Sequence, residues 1–274
     1  PVIEWAKQFV LMINNSLIYY YLTVNGIYLI LALLSAYGAK KQRLLWDIKS
    51  KSLLYEKGIL SSISIIAPAY NEELSIVDSV TALLNLKYPE YEVIVVNDGS
   101  KDKTLEKLID HFRLERKNVP IKPLINTKAI KGVYKNKNIP NLVVIDKING
   151  GKADALNVGI NTARNEFVCG IDADSLLAPD ALLKLMSSSL DHDEITLALG
   201  GNIIPVNGSK VTNGYIEQLG LAKNPLAALQ TIEYLRAFTL GRIGWSELKS
   251  LLIISGAFGL FERRILAEAG GYLT

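Results

Sequence analysis

Short apolar runs recur along the chain, separated by segments in which apolar and polar positions alternate at helical spacing. Residues 63–67 (ISIIA), 92–96 (EVIVV), 142–145 (LVVI) and 167–171 (FVCGI) are mostly β-branched and predict buried parallel strands. Between and after them, residues 73–86, 103–112, 153–163 and 179–190 carry apolar side chains at helical intervals. Alternation of this kind predicts an α/β fold, a mostly parallel sheet flanked on both faces by helices.

A different pattern precedes this region. Residues 17–39 (LIYYYLTVNGIYLILALLSAYGA) carry no ionisable side chain except tyrosine, and at ~1.5 Å per residue they are long enough to cross a ~30 Å hydrocarbon layer. Tyr19, Tyr20, Tyr21 and Tyr37 suit the aromatic belts of a transmembrane helix. A soluble core helix is the alternative. Lys40, Lys41, Arg43, Lys49, Lys51 and Lys57 follow the span, against Lys7 before it, so the positive-inside rule predicts that everything after residue 40 is cytoplasmic. The expected organisation is an N-terminal flank at 1–16, a transmembrane helix at 17–39, a basic linker at 40–60 and an α/β domain at 61–274, held at the cell membrane with membrane lipids as neighbours. Because the chain opens on Pro1 and stops just after a Gly-Gly-Tyr turn, it is expected to be a piece of a longer protein.

Composition narrows the chemistry. The mean hydropathy of +0.21 agrees with a part that meets lipid. One cysteine rules out an intrachain disulfide, and two histidines cannot build a Cys/His zinc cluster, so any metal is held by oxygen. A net charge of +3 gives no case for nucleic acid as a partner. The lysine-rich stretch 113–138 is expected to be a flexible basic connection facing solvent, membrane or an anionic substrate.

Four polar clusters fall just after the four strands: PAYNEE, NDGS, DKINGGKADALN and DADS. In parallel sheets ligands collect beyond the carboxyl ends of the strands. Each cluster alone also reads as ordinary turn and cap chemistry; their shared placement is what points to a site. Asp172 and Asp174, two apart on an extended chain, can aim both carboxylates into one volume and hold Mg2+ or Mn2+, whose shell is commonly completed by substrate phosphates. Lys152, presented after Gly150 and Gly151, is suited to reach a diphosphate. Asp98 can accept hydrogen bonds from a base or ribose, and Tyr70 can stack on a base. Neither a G-x-x-x-x-G-K-[ST] loop nor G-x-G-x-x-G after the first strand is present, against a P-loop ATPase and a Rossmann dehydrogenase.

Taken in order, APAYNEE, VIVVNDGSKDKT, NGGKADALNVGI, CGIDADSLLAPDAL and ISGAFGLFERRILAEAGGY resemble the successive motifs of family 2 glycosyltransferases of GT-A fold. The likeness runs from about residue 63 to 272 and is nearest to the membrane-bound subgroup that includes poly-N-acetylglucosamine, cellulose and hyaluronan synthases. The resemblance implies that Pro68, Tyr70 and Glu72 border the nucleoside, Asp98 holds the uridine and Lys152 meets the diphosphate. It also implies that Asp172 lies near the ribose or metal, that Asp174 coordinates the metal, and that Ser255, Gly256 and Ala257 form the strip on which the acceptor rests. Residues 230–245 resemble the family's helical region beside the membrane, with Arg236 and Arg242 toward headgroups, and helical core is the competing reading of its apolar residues.

Members of that subgroup carry an acidic general base shortly after the Gly-Gly-Tyr turn, then a Gln-x-x-Arg-Trp motif and further membrane helices. The general base is therefore expected to be absent from this chain, which would bind donor without efficient turnover, while the full-length protein is the enzyme. The expected activity is inverting transfer of a hexose or N-acetylhexosamine from a UDP-sugar to a glycan or lipid-linked acceptor, in β-linked polysaccharide synthesis, with room for a membrane-protein partner. A non-catalytic nucleotide-binding scaffold and a non-processive single-sugar transferase are the competing expectations.

Overall fold

The computed structural model describes residues 2–48, 60–121, 123–172, 175–189, 196–212, 215–218, 220–250 and 253–274. Asp174, His192, Lys49, Lys51, Lys57 and Lys122 lie outside the described residues. The strands predicted from the apolar runs all form: β1 (Ile63–Ala69), β2 (Tyr91–Asn97), β5 (Ile139–Lys147) and β6 (Phe167–Ile171). They sit side by side as β5-β2-β1-β6, all parallel, with Ile63 of β1 in register with Tyr91 of β2 and Phe167 of β6.

Period-two alternation sends the residues of each strand to opposite faces. Ile65, Val95 and Cys169 pack on one face beneath α2 (Ile76–Leu84), α3 (Thr104–Phe112) and α5 (Ala181–Ser189). Ile66, Ile94 and Val143 pack on the other beneath α4 (Lys152–Thr162). Each such aliphatic side chain contributes about 1.5–3 kcal/mol on full burial, which is why these runs contain almost nothing polar.

The backbone of α4 comes close to β1 at Gly159, where an added Cβ would lie 2.2 Å from Ile66 Cγ2. Helix propensity alone would make Gly159→Ala stabilising by about 1 kcal/mol. Overpacking costs about 1–3 kcal/mol, so the clash decides the sign. Gly159→Ala is therefore expected to lower the denaturation midpoint, and the double variant with Ile66→Ala to lose less than the sum of the two single variants.

The basic stretch 113–138 is not a flexible connection. It contains β3 (Glu115–Lys117) and β4 (Ile130–Asn136), which extend the sheet antiparallel beyond β5. Val133 is buried and Tyr134 packs on the core, while Lys131 stays exposed, so β4 is a strand next to the edge with lysine at its solvent-facing positions, and the short β3 covers part of its outer side. At the far side, β10 (Phe258–Glu262) runs antiparallel to β6 and pairs in turn with β7 (Ala198–Gly200), giving the order β3-β4-β5-β2-β1-β6-β10-β7. A separate two-stranded ribbon, β8 (Lys210–Thr212) and β9 (Tyr215–Gln218), follows β7 in sequence.

The apolar N-terminal segment is one helix, α1 (Val2–Ile48), longer in both directions than the expected 17–39 and about 70 Å from end to end. Residues 40–48, expected to begin a linker, continue it. Most of its apolar side chains are exposed, but Leu31 and Ser35 are buried. They meet a helical segment made of α6 (Pro225–Tyr234), a π-helical turn (Leu235–Gly241) and α7 (Arg242–Glu247). Ser35 Oγ donates to the Thr239 carbonyl at 3.0 Å, and a Cβ on Gly244 would lie 2.7 Å from the Leu31 carbonyl oxygen. Small residues at these positions let the helices approach closely. The Arg236 guanidinium stands over the Tyr28 ring at 5.3 Å and pairs with Glu233 at 2.8 Å. The chain closes on α8 (Arg263–Glu268) and the Gly270-Gly271-Tyr272 turn.

Candidate active site

The carboxyl ends of β1, β2, β5 and β6 bring the four polar clusters to one margin of the sheet. Two of the loops are stitched together. After β1, the Asn71 amide donates to Ser100 Oγ at 3.0 Å and the Glu72 amide to Thr104 Oγ1 at 2.8 Å. The Glu73 amide donates to Asp102 Oδ2 at 3.1 Å, and the Lys101 amide returns a bond to Asn71 Oδ1 at 2.9 Å. Burial works against the charge of Asp102, but bonds from the Thr104 hydroxyl and from the Thr104 and Glu73 amides outweigh it and hold the carboxyl below its usual range. Tyr70 is left with its ring half exposed over this stitched margin, while Pro68 and Glu72 are partly buried and Glu72 accepts from the Ser75 hydroxyl at 2.9 Å.

Asp98 is buried, with its carboxylate turned toward the β5–α4 loop. Its Oδ1 accepts from Lys147 Nζ at 2.6 Å and from the Gly150 amide at 2.9 Å, and its Oδ2 accepts from the Gly151 amide at 2.8 Å. Asn149 Nδ2 donates to the Asp98 carbonyl at 2.7 Å. Gly150 leaves no room for a side chain, since a Cβ there would lie 2.6 Å from Asp154 Oδ2; Gly151 has open space but adopts φ +88°, a conformation that costs glycine nothing. This double turn delivers Lys152 to the first turn of α4, which packs over β1 and β2, and from there its ammonium hydrogen-bonds Asp172 Oδ1 at the end of β6.

Asp172 is the described half of the predicted carboxylate pair; Asp174 lies outside the described residues. The Lys152 ammonium is seated on Asp172 Oδ1, a carboxylate oxygen of the kind that Mg2+ or Mn2+ prefers; among the described residues no group of three or more His, Cys, Asp or Glu side chains could hold a metal ion. Ser255, Gly256 and Ala257 lie just before β10. Phe258 is in register with Ile171, so the step before it brings Ala257 beside Asp172. The structure thus gathers Lys152, Asp172 and the 255–257 strip, sets Tyr70 and Glu72 on the stitched loop beside them, and turns Asp98 inward.

Three residues were not singled out in the sequence. Lys147 and Asp154 complete the network under the glycine turn. Asn157, on α4, brackets the Gly-Gly-Tyr turn: its Nδ2 donates to the Tyr272 carbonyl at 2.8 Å and its Oδ1 accepts from the Tyr272 amide at 2.8 Å. The available signal for Asp154 and Asn157 was their helical spacing within KADALN, three apart on one side of α4. A cleft of about 800 Å3 also opens at the opposite, amino margin of the strands, lined by Glu92, Lys135, Arg164 and Arg263 among others. Its arginines are committed to Glu92 at 2.8 Å and to the Asn165 carbonyl at 3.1 Å, and it is remote from the polar clusters.

A mostly parallel sheet between helices, with carboxylates, a lysine and a glycine turn at its carboxyl margin, defines a GT-A-like α/β domain. The model of "Glycosyl transferase family 2" matches residues 64–268, and the chain belongs to that family. Over 215 residues, 78% of this chain and 43% of the relative, it is 29% identical to the poly-beta-1,6-N-acetyl-D-glucosamine synthase of Staphylococcus epidermidis RP62A. The synthase of the same name from Staphylococcus aureus COL is 30% identical over 218 residues, with the same coverage of 78% and 43%. The chain spans about 43% of the length of these relatives. Among solved structures, it is similar to a mannosyltransferase from Pyrobaculum calidifontis in complex with GDP-Man and Mn2+, at a TM-score of 0.45 and 20% identity over 90% of this chain and 59% of that one. S. aureus TarS 1-349 in complex with UDP-GlcNAc gives a TM-score of 0.33 and 28% identity over 44% of this chain and 29% of that one.

Proposed function

We propose that the protein is a membrane-anchored inverting glycosyltransferase that takes a hexose or N-acetylhexosamine from a UDP-sugar and adds it to a glycan or lipid-linked acceptor in β-linked polysaccharide synthesis. The observation that carries this reading is the Lys152–Asp172 pair, a cation and a carboxylate held at the end of β6 beside the 255–257 strip. The similarity to poly-beta-1,6-N-acetyl-D-glucosamine synthases supports an N-acetylhexosamine donor.

In this reading Tyr70 stacks on the uracil, with Pro68 and Glu72 bordering the nucleoside. Asp98 holds the uridine side of the site through the loop it orders. Asp172 and Asp174 would hold Mg2+ or Mn2+, which when bound supplies positive charge against the departing diphosphate. Lys152 moves from Asp172 to the diphosphate oxygens and places a second positive charge where negative charge grows. The glycine turn brings Lys152 close without a side chain in the way. Ser255, Gly256 and Ala257 support the acceptor sugar. The acceptor hydroxyl needs a general base for in-line attack.

The anchor is α1. Its docking against α7 occupies residues 31–38, and Arg236 meets it at Tyr28, so the stretch left for lipid runs from about Lys7 to Tyr28, roughly 31 Å. This register lies N-terminal to the 17–39 expected from hydropathy. A cysteine scan distinguishes the two. Cys169 is a silent background, because complete burial removes it from solvent and pushes its thiol up to about 12. Leu33→Cys, at an exposed position, is expected to react with a membrane-impermeant maleimide applied from the cytoplasmic side, whereas protection would restore the 17–39 register.

Incubating the full-length protein in membranes with a panel of UDP-sugars and measuring released UDP tests the activity. Release above the protein-free level with one UDP-N-acetylhexosamine or UDP-hexose is expected; no release with any would contradict the transferase reading.

A further inference from the structure

Lys147 ends β5 with 0% of its side chain exposed, between two carboxylates that are themselves 5% and 6% exposed. An ammonium has three N–H donors. All are used: Lys147 Nζ lies 2.6 Å from Asp98 Oδ1, 2.6 Å from Asp154 Oδ2 and 2.6 Å from the Ile148 carbonyl. Asp98 follows β2 and carries the Gly150 and Gly151 amides, while Asp154 sits in the first turn of α4 and accepts from the Lys128 amide at 3.0 Å. One buried ammonium therefore joins the end of β2, the end of β5, the start of α4 and the segment leading into β4.

Burying three charges is a poor way to gain stability, since an apolar cluster of the same volume does as well or better. The arrangement instead fixes geometry. We propose that Lys147 is a positioning residue: its ammonium cross-braces Asp98 and Asp154 so that the Gly150-Gly151 turn, and Lys152 behind it, are already set for the donor's diphosphate before the donor arrives. This rests on the donor-binding reading above. Asp98 accordingly acts on the nucleotide through the turn that its carboxylate orders. A pre-set turn spares the donor the cost of ordering four residues at the moment of binding.

The test uses full-length protein in detergent and two readouts. Amide hydrogen exchange at Gly150 and Gly151 reports the turn directly, without any ligand. Titration with UDP and Mn2+, and donor KM against kcat in the transfer assay, report its consequence. Lys147→Met is expected to speed exchange at these two amides about tenfold or more while β1 keeps its protection, and to weaken UDP binding and raise donor KM by about tenfold. Acceptor KM stays unchanged. Should Lys147→Met fail to fold, Lys147→Met with Asp154→Asn removes the cross-brace with one fewer unpaired carboxylate and is expected to show the same pattern. Wild-type exchange at both glycines together with an unchanged donor KM overturns the proposal, as does a fall in kcat alone, which is the mark of a merely less stable fold. If wild-type protein binds no UDP, the donor reading falls, and the exchange readout still decides whether Lys147 braces the turn.

Discussion

Asp98→Ala is expected to cost the folded protein about 3–5 kcal/mol, the usual consequence of removing one partner from a buried ion cluster. The substitution leaves Lys147 with Asp154 as its one carboxylate beside the Ile148 carbonyl and strips acceptors from the Gly150 and Gly151 amides, so two backbone donors lose their partners at once. For a domain of this size the loss corresponds to roughly 6–20 °C in melting temperature, readable by circular dichroism on the full-length protein. Asp98→Asn keeps one acceptor oxygen and should fall between wild type and the alanine variant. A drop of less than about 2 °C for Asp98→Ala would mean that the buried network is not closed in solution.

Lys152→Met should do the opposite: leave stability nearly unchanged and damage binding. The Lys152 ammonium is half exposed on Asp172, and exposed pairs contribute little to folding. A charged hydrogen bond to a diphosphate is worth about 1.5–3 kcal/mol, so UDP affinity should fall by roughly 10- to 150-fold. Metal affinity should hold or rise, because the variant removes the cation that competes for Asp172. Calorimetric titrations with Mn2+ alone and with UDP in the presence of Mn2+ separate the two effects. Equal loss of both would show that Lys152 supports the site structurally and does not meet the diphosphate.

The strands were legible because burial on both faces leaves its mark directly on composition: ISIIA and FVCGI hold between them a single polar side chain, Ser64, and its buried hydroxyl is satisfied by Glu92 at 2.7 Å. Edges were less visible. β4 sends Val133 to one core cluster and Tyr134 to the other but is interrupted by Lys131, Gly132 and Lys135, so its charge outweighed its apolar positions. Helix α2 was expected from residue 73 and begins at Ile76, because the residues before it give their amides to Thr104 and Asp102 across the β2 loop. The site followed the same rule. Residues that terminate strands in a run of polar letters, such as Lys152 and Asp172, announced themselves, whereas Lys147 reads as one more lysine in a lysine-rich chain. Nothing local distinguishes a buried lysine from an exposed one; its two carboxylate partners are 49 and 7 positions away. The docking of α1 on α7 was hidden for a similar reason, since an apolar helix gives no sign of which of its turns meets protein and which meets lipid.

The most direct test is calorimetric titration of UDP into the full-length protein, first with Mn2+ and then with excess chelator, on wild type and on Asp172→Ala and Asp174→Ala. Binding that requires the metal and is lost in both variants is the predicted result. Equal affinity with and without metal, or undiminished binding in the two variants, would contradict the assignment of this strand margin as a nucleotide-sugar site.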